Sequence, residues 1–234
     1  MLEKIIPEIR EKLSFAKPDA DDIYDISGSK RPPWVVYNDK INTADEIIVN
    51  LGKGMETVDK GEIKEATQMV KESILFIKEN ASTEAELKTA ETLETMAKEG
   101  RVFIGDTSQD IGYPVYGYFH PEYDPMTGKD TGYIVIDHEG IMAYGKSEAI
   151  DTLSHEAYHA AQHEEGHEND CVEEETRAWN MGLEMSNRYR EETGEHISQT
   201  EPYTQSDIEN KGYTRDLGEG VFAELTGNST EVLA

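Results

Sequence analysis

The apolar positions of this chain change period near Gly100, from helical spacing before it to short strand-like runs after it. Leu2, Ile5, Ile6, Ile9 and Leu13 form a first helical stripe, with Pro7 near its start. A polar, turn-rich stretch over 19–33 reads as a loop, and 34–37 as a short strand. Ile63, Ala66, Val70, Ile74 and Ile77 then predict an amphipathic helix over 62–78. Another follows over 84–98, with Thr83 and Glu86 as a capping box and Gly100 as its stop. Strands are predicted over 102–104, 115–119 and 133–136, and the turn residues between the last two make them a hairpin in a small sheet.

Two helices close the pattern. Ser147 as N-cap and Gly166 as terminal glycine bracket a helix over 148–165, whose buried stripe is Ile150, Leu153, Ala157 and Ala161. Asp170 as N-cap, Glu173 at the third position and Gly194 as stop define the second, with Val172, Thr176, Trp179 and Leu183 facing inward. The connector over 166–170 is short, so the two helices are expected to pack as antiparallel neighbours. The order of elements predicts an α+β fold, with a mainly helical N-terminal region over 1–100 and a core plus tail over 101–234, as one compact domain of 234 residues.

Charge changes this picture by excluding partners. Lys and Arg number 22 against 49 Asp and Glu, a formal charge of −27. Up to Gly117 there are 15 basic and 23 acidic residues, and beyond it 7 and 26, so the excess lies in the second half. Such a field repels nucleic acid phosphates and anionic membranes, and it favours a basic peptide or protein as partner. Cys171 is the only cysteine, which rules out an intrachain disulfide and reads as a buried structural thiol. No apolar run reaches membrane-spanning length, and residues 1–17 lack the apolar segment of a signal peptide. A cytoplasmic location is expected, with export by a route that leaves no such mark kept open. Oligomeric state is not encoded in any of these patterns.

The candidate chemistry sits in the helix over 148–165, in the run His155-Glu156-Ala157-Tyr158-His159. Residues four apart on a helix have Cβ atoms roughly 5–6 Å apart, so both imidazoles can reach one ion at roughly 2.0–2.1 Å. Both fall on the side opposite the buried stripe, which is not where ordinary core histidines sit. Glu156, rotated about 100° from His155, lies beside the ion rather than on it. A carboxylate there can take a proton from a metal-bound water and hand it to a leaving amine.

This H-E-x-x-H pattern resembles the zinc peptidases called zincins. The resemblance implies a zincin-like α+β core, bound Zn2+, His155 and His159 as metal ligands, Glu156 as the catalytic base, and a peptide or protein substrate. A third protein ligand is required, leaving the fourth position for water. His163 sits two turns beyond His155, roughly 12 Å along the axis, and cannot join the same ion. The metzincin spacing fails, because Gly166 and His167 come too late after His159. The carboxylates of the following helix remain, as in the gluzincin branch.

Glu175 is level with His159 across the antiparallel pair and lies beside the small residues Ala178 and Gly182. Glu173 points away, near Arg177, and Glu174 stays the alternative. The order Glu175-Thr176-Arg177-Ala178 is similar to the E-x-x-A segment that carries the third ligand in several gluzincins. Those families often place an Asp or Asn one turn later to orient a ligand histidine. This chain has Trp179 there, so its orienting groups must come from elsewhere.

The likeness spans about residues 133–190, and small bacterial, phage or polymorphic-toxin metallopeptidase domains look similar in this core. In such folds the edge strand beside the helix can bind an extended peptide, a role assigned here to 133–137. His196, Tyr203 and Tyr213 are candidates for stabilising the oxyanion. Three alternatives stay open: a zinc amidohydrolase acting on a non-peptide amide, an inactive zincin-like protein, and a non-enzymatic acidic protein that binds a basic partner.

Overall fold

The computed structural model describes residues 46–112, 114–123, 126, 130–166 and 171–211. The helix expected near the N-terminus, the loop over 19–33 and the strand over 34–37 lie outside them, as do His167, Asp170, Tyr213 and the side chain of Cys171. The described residues form a mixed α/β fold with a four-stranded sheet and seven α-helices.

The elements are β1 (Asn50–Leu51), α1 (Lys60–Asn80), α2 (Glu84–Lys98), β2 (Val102–Gly105), α3 (Thr107–Ile111), β3 (Gly117–His120), β4 (Tyr133–Asp137), α4 (His138–Tyr144), α5 (Lys146–Glu164), α6 (Cys171–Thr193) and α7 (Gln205–Asn210). Asp59 caps α1 through its side chain, and the Thr83–Glu86 capping box starts α2 as expected. The short helices α3, α4 and α7 have too few turns to show a periodicity, and the sequence reading missed them.

Strand order is β1-β2-β4-β3, with β1, β2 and β4 parallel and β3 antiparallel to β4. The hairpin forms as expected, but β3 begins at Gly117 rather than at residue 115. Val115 is instead held by Thr107, whose Oγ1 both accepts from its amide and donates to its carbonyl. One correction bears on function: β4 is paired on both sides, so 133–137 is a central strand and not an edge. Its near-continuous apolar sequence Tyr-Ile-Val-Ile fits a strand covered on both faces. The edge beside the helix is β3.

One sheet face, carrying Val102, Ile104, Phe119, Ile134 and Ile136, packs against α1, α2 and α5 in a single apolar cluster. The stripe of α5 expected from the sequence, Ile150, Leu153, Ala157 and Ala161, is fully buried. Helix α5 starts two residues early, capped by the backbone of Gly145, and Ser147 lies inside its first turn. It stops at Gly166, as α6 stops at Gly194, both with positive φ. Gly117 lets β3 approach α5 closely, since a Cβ there would stand 2.5 Å from Thr152 Cγ2.

Helices α5 and α6 run antiparallel: His159 meets Glu175, His155 meets Trp179, and Asp151 meets Ser186. The face of α6 turned to α5 differs from the expected stripe. Glu174, Glu175, Ala178, Met181 and Met185 are buried positions there, while Val172 packs on Ile208 and Trp179 lies between His155 and Tyr203. The polar residues of α6 won the inward face because α5 offers histidines and Asp151 as partners.

Gly182 sets the spacing of this pair, because a Cβ on it would collide with Asp151 Oδ1 and lie 2.7 Å from the Asp151 carbonyl oxygen. Gly182→Ala is therefore expected to force α5 and α6 apart and to cost about 1–3 kcal/mol, read by chemical denaturation. An unchanged unfolding midpoint would show that the helix pair is looser than its contacts indicate.

Candidate metal centre

His155, Glu156 and His159 stand on the face of α5 opposite its apolar stripe, but α6 covers that face too. Their exposures are 8%, 4% and 8%, and that of Glu175 is 6%, so four titratable groups are buried together. Unpaired, such groups would carry a large desolvation cost. Their mutual geometry is what offsets it.

The Nε2 atoms of His155 and His159 are 3.1 Å apart. The Glu175 carboxylate straddles them, with Oε1 3.2 Å from His159 Nε2 and Oε2 3.5 Å from His155 Nε2. A tetrahedral ion with bonds of roughly 2.0–2.1 Å sets its ligand atoms about 3.3–3.4 Å apart. The spacing of the two imidazole nitrogens lies near that value, the two carboxylate contacts run to different oxygens, and one ligand atom from each residue lies within 4.8 Å of the others, so the three form a group able to hold a metal ion. Glu175 Oε2 and Glu156 Oε2 are buried without a hydrogen-bond partner, so each is an acceptor left unsatisfied.

The three consecutive glutamates divide as the helix angles require. Glu175 faces both imidazoles. Glu174 accepts from His159 Nδ1 at 2.8 Å, which fixes the ring so that Nε2 faces Glu175 and His155. Glu173 turns to solvent and pairs with Arg177. The orienting group missing from position 179 is thus supplied for His159 by Glu174, a residue the sequence reading weighed as a ligand instead. His163 is engaged elsewhere, 3.5 Å from Asp130 and stacked on Tyr123.

Glu156 lies between the imidazoles and the edge strand. Burial pushes its carboxyl up, opposed by His155 and His159, and it accepts a hydrogen bond from the backbone N–H of Phe119. His196 is exposed on the segment after α6, and Tyr203 packs edge-on against Trp179 at 5.2 Å rather than meeting the histidines directly. Neither is brought into the centre.

The charges are tightly coupled. Burial would push Glu175 up, but the two imidazoles outweigh it and hold the carboxyl well below its usual range. Burial likewise pushes His159 down, and Glu175, Glu174 and Glu156 overcome it, leaving this imidazole well above its ordinary value. The chain matches no protein family, no curated protein and no solved structure with which it was compared. The chemistry of the site therefore has to be argued from its own atoms.

Two outcomes follow from this geometry. Zinc titration against a competing chelator should rank the glutamates: Glu175→Gln loses the most, well over tenfold, Glu174→Gln about tenfold, and Glu173→Gln almost nothing. A dominant loss at Glu174 would overturn the division of roles. Zinc binds neutral imidazole, whereas metal-free His159 favours its protonated form at neutral pH. Uptake at pH 7 should release about one proton, so affinity should rise with pH through neutrality. For the metal-free fold the sign is opposite: a raised imidazole pKa stabilises the chain below the ordinary value near 6.5, and that contribution fades as pH climbs through the raised one. Calorimetry in buffers of different ionisation enthalpy measures the released proton, and binding without proton release would contradict the assigned state of His159.

Proposed function

We propose that this protein is a zinc-dependent peptidase of zincin-like design, with His155, His159 and Glu175 holding the ion and Glu156 serving as the base. The carrying observation is the buried cluster of two imidazole nitrogens 3.1 Å apart and one carboxylate whose two oxygens lie 3.2 and 3.5 Å from them, beside a second carboxylate with an oxygen that has no hydrogen-bond partner. When bound, zinc supplies a Lewis acid that polarises a carbonyl and lowers the pKa of a water towards 7.

The residues of the chain perform the rest. Glu156 is close enough to the histidines to act on the same water, at 4.0 Å from His155 Nε2, without competing for their ligand position. Its raised pKa suits a group that accepts a proton and then returns it to the leaving amine. The Phe119 N–H holds one end of the carboxylate and thereby fixes its direction. Glu174 keeps His159 in the tautomer whose Nε2 is free for a ligand.

Substrate binding follows from the register of β3. The Asp137 amide donates to the Tyr116 carbonyl at 2.8 Å, so Tyr116 lies in a hydrogen-bonded pair. Alternation then turns Tyr118 and His120 towards β4 and directs the backbone groups of Gly117 and Phe119 outward. Among the described residues β3 is paired on one side; on its outer side the Phe119 N–H is taken by Glu156, which leaves the Gly117 groups and the Phe119 carbonyl to meet a peptide. An extended peptide adding to this edge would present its carbonyl to the centre, and the excess of acidic residues in this half of the chain favours basic peptides.

The test separates binding from chemistry. Glu156→Gln should retain zinc and lose nearly all cleavage of a peptide library, a fall of at least 100-fold in kcat. Activity persisting in a zinc-verified variant would sink the role of Glu156, and a zinc-loaded parent protein inert on every peptide would sink the peptidase reading.

A further inference from the structure

The two ligand histidines are braced differently. His159 has a carboxylate on its far nitrogen, whereas His155 has the indole of Trp179: the rings meet edge to face, with centroids 5.5 Å apart and planes at 89°. Trp179 stands one turn after Glu175 on α6, so the same helix that supplies the third ligand also supplies this ring. An indole has one donor and no acceptor, and the buried Nε1 of Trp179 has no hydrogen-bond partner. Its hold on His155 is thus one of shape and ring electrostatics rather than of a hydrogen bond.

Such a brace works only if the indole itself cannot move, and the segment that follows α6 supplies the restraint. Tyr203 packs edge-on against Trp179 at 5.2 Å, and Lys211 Nζ lies 4.4 Å from the indole centroid. Tyr203 is in turn fixed by its backbone: its amide donates to Asn180 Oδ1 at 2.7 Å and its carbonyl accepts from Asn180 Nδ2 at 2.9 Å. Between Tyr203 and Lys211, α7 is started by a Thr204–Asp207 capping box, and Ile208 is fully buried against Val172. The indole is enclosed by His155, Tyr203 and the Lys211 cation.

We propose that Trp179 is a positioning residue for His155, and that residues 203–211 act on the metal centre through this indole, which they lock. This inference rests on the metal reading above. A side chain that fixes a ligand ring typically changes metal affinity 10–100-fold when removed, and the contribution here should follow the ring rather than its N–H. Trp179→Phe keeps an aromatic edge at the same place, and Trp179→Ala removes it.

The experiment uses the full chain. Zinc affinity and the ligand-field spectrum of the Co2+-loaded protein are measured for the parent, Trp179→Ala and Trp179→Phe, with thermal unfolding confirming that each is folded. The expected result is a loss of at least tenfold in zinc affinity and an altered Co2+ spectrum for Trp179→Ala, and both properties returned to near the parent's by Trp179→Phe. Parent-like affinity and spectrum in Trp179→Ala would overturn the proposal, as would a folded Trp179→Phe as impaired as the alanine variant. The chain has two tryptophans, so Trp34→Phe leaves Trp179 as the sole indole emitter. Stoichiometric Co2+ should quench it strongly, and this measurement decides the matter if Trp179→Ala does not fold. An unquenched indole in protein that binds Co2+ would overturn the proposal. A parent chain that binds neither ion, or binds them equally well as His155→Ala, would instead overturn the metal reading beneath it.

Discussion

Ten consecutive residues of α5, Thr152 to Ala161, are buried, and this double burial is the constraint on which the rest depends. One side of the helix is apolar and fills the cluster under the sheet with α1 and α2. The other side carries Asp151, His155 and His159, and it cannot face a second apolar layer without orphaning them. Helix α6 therefore turns a polar face inward. Ser186, Trp179, Glu174 and Glu175 answer the three α5 residues in antiparallel order, and Gly182 lets the backbones close around Asp151.

That arrangement concentrates charge where water is scarce. Burial disfavours ionised carboxylates and imidazoles alike, yet a proton moved from Glu175 to His159 leaves two opposite charges a hydrogen bond apart, which is the cheaper state. On the metal reading proposed above, a cation would displace that proton and meet the same carboxylate. Glu156 differs from Glu175 because its burial outweighs the two imidazoles and the Phe119 amide, so its carboxyl is pushed up. The same burial that threatens the stability of the helix pair thus leaves Glu175 below and Glu156 above the ordinary carboxylate range.

The sheet contributes position rather than chemistry. Its three parallel strands are sheathed by the helical layer, and the antiparallel β3 is left at the margin with Gly117 pressed against Thr152. This contact brings an open strand edge beside Glu156. A larger residue at 117 would move the strand away from Glu156.

Much of this was legible in the sequence because it depends on neighbours along one helix. The spacing of His155 and His159, the offset of Glu156 between them, the stops at Gly166 and Gly194 and the capping box of α2 are set by 3.6-residue periodicity and local hydrogen bonds. The level of Glu175 was also readable, since a short connector fixes how far each residue lies from the turn. The rotation of α6 was readable only in part: its phase put Glu175 beside Ala178 and Gly182, but apolar periodicity put Val172 inward, and only the partner helix, with histidines to satisfy, drew Glu174 there as well. The edge strand was misassigned for a related reason, because strand order depends on which chains pair across the sheet and leaves no mark in the local pattern of β4. What the sequence determined by itself is the set of groups that a helix can hold together; what the tertiary structure decided is which of them lose water together, since burial is shared between distant segments and belongs to none of them alone.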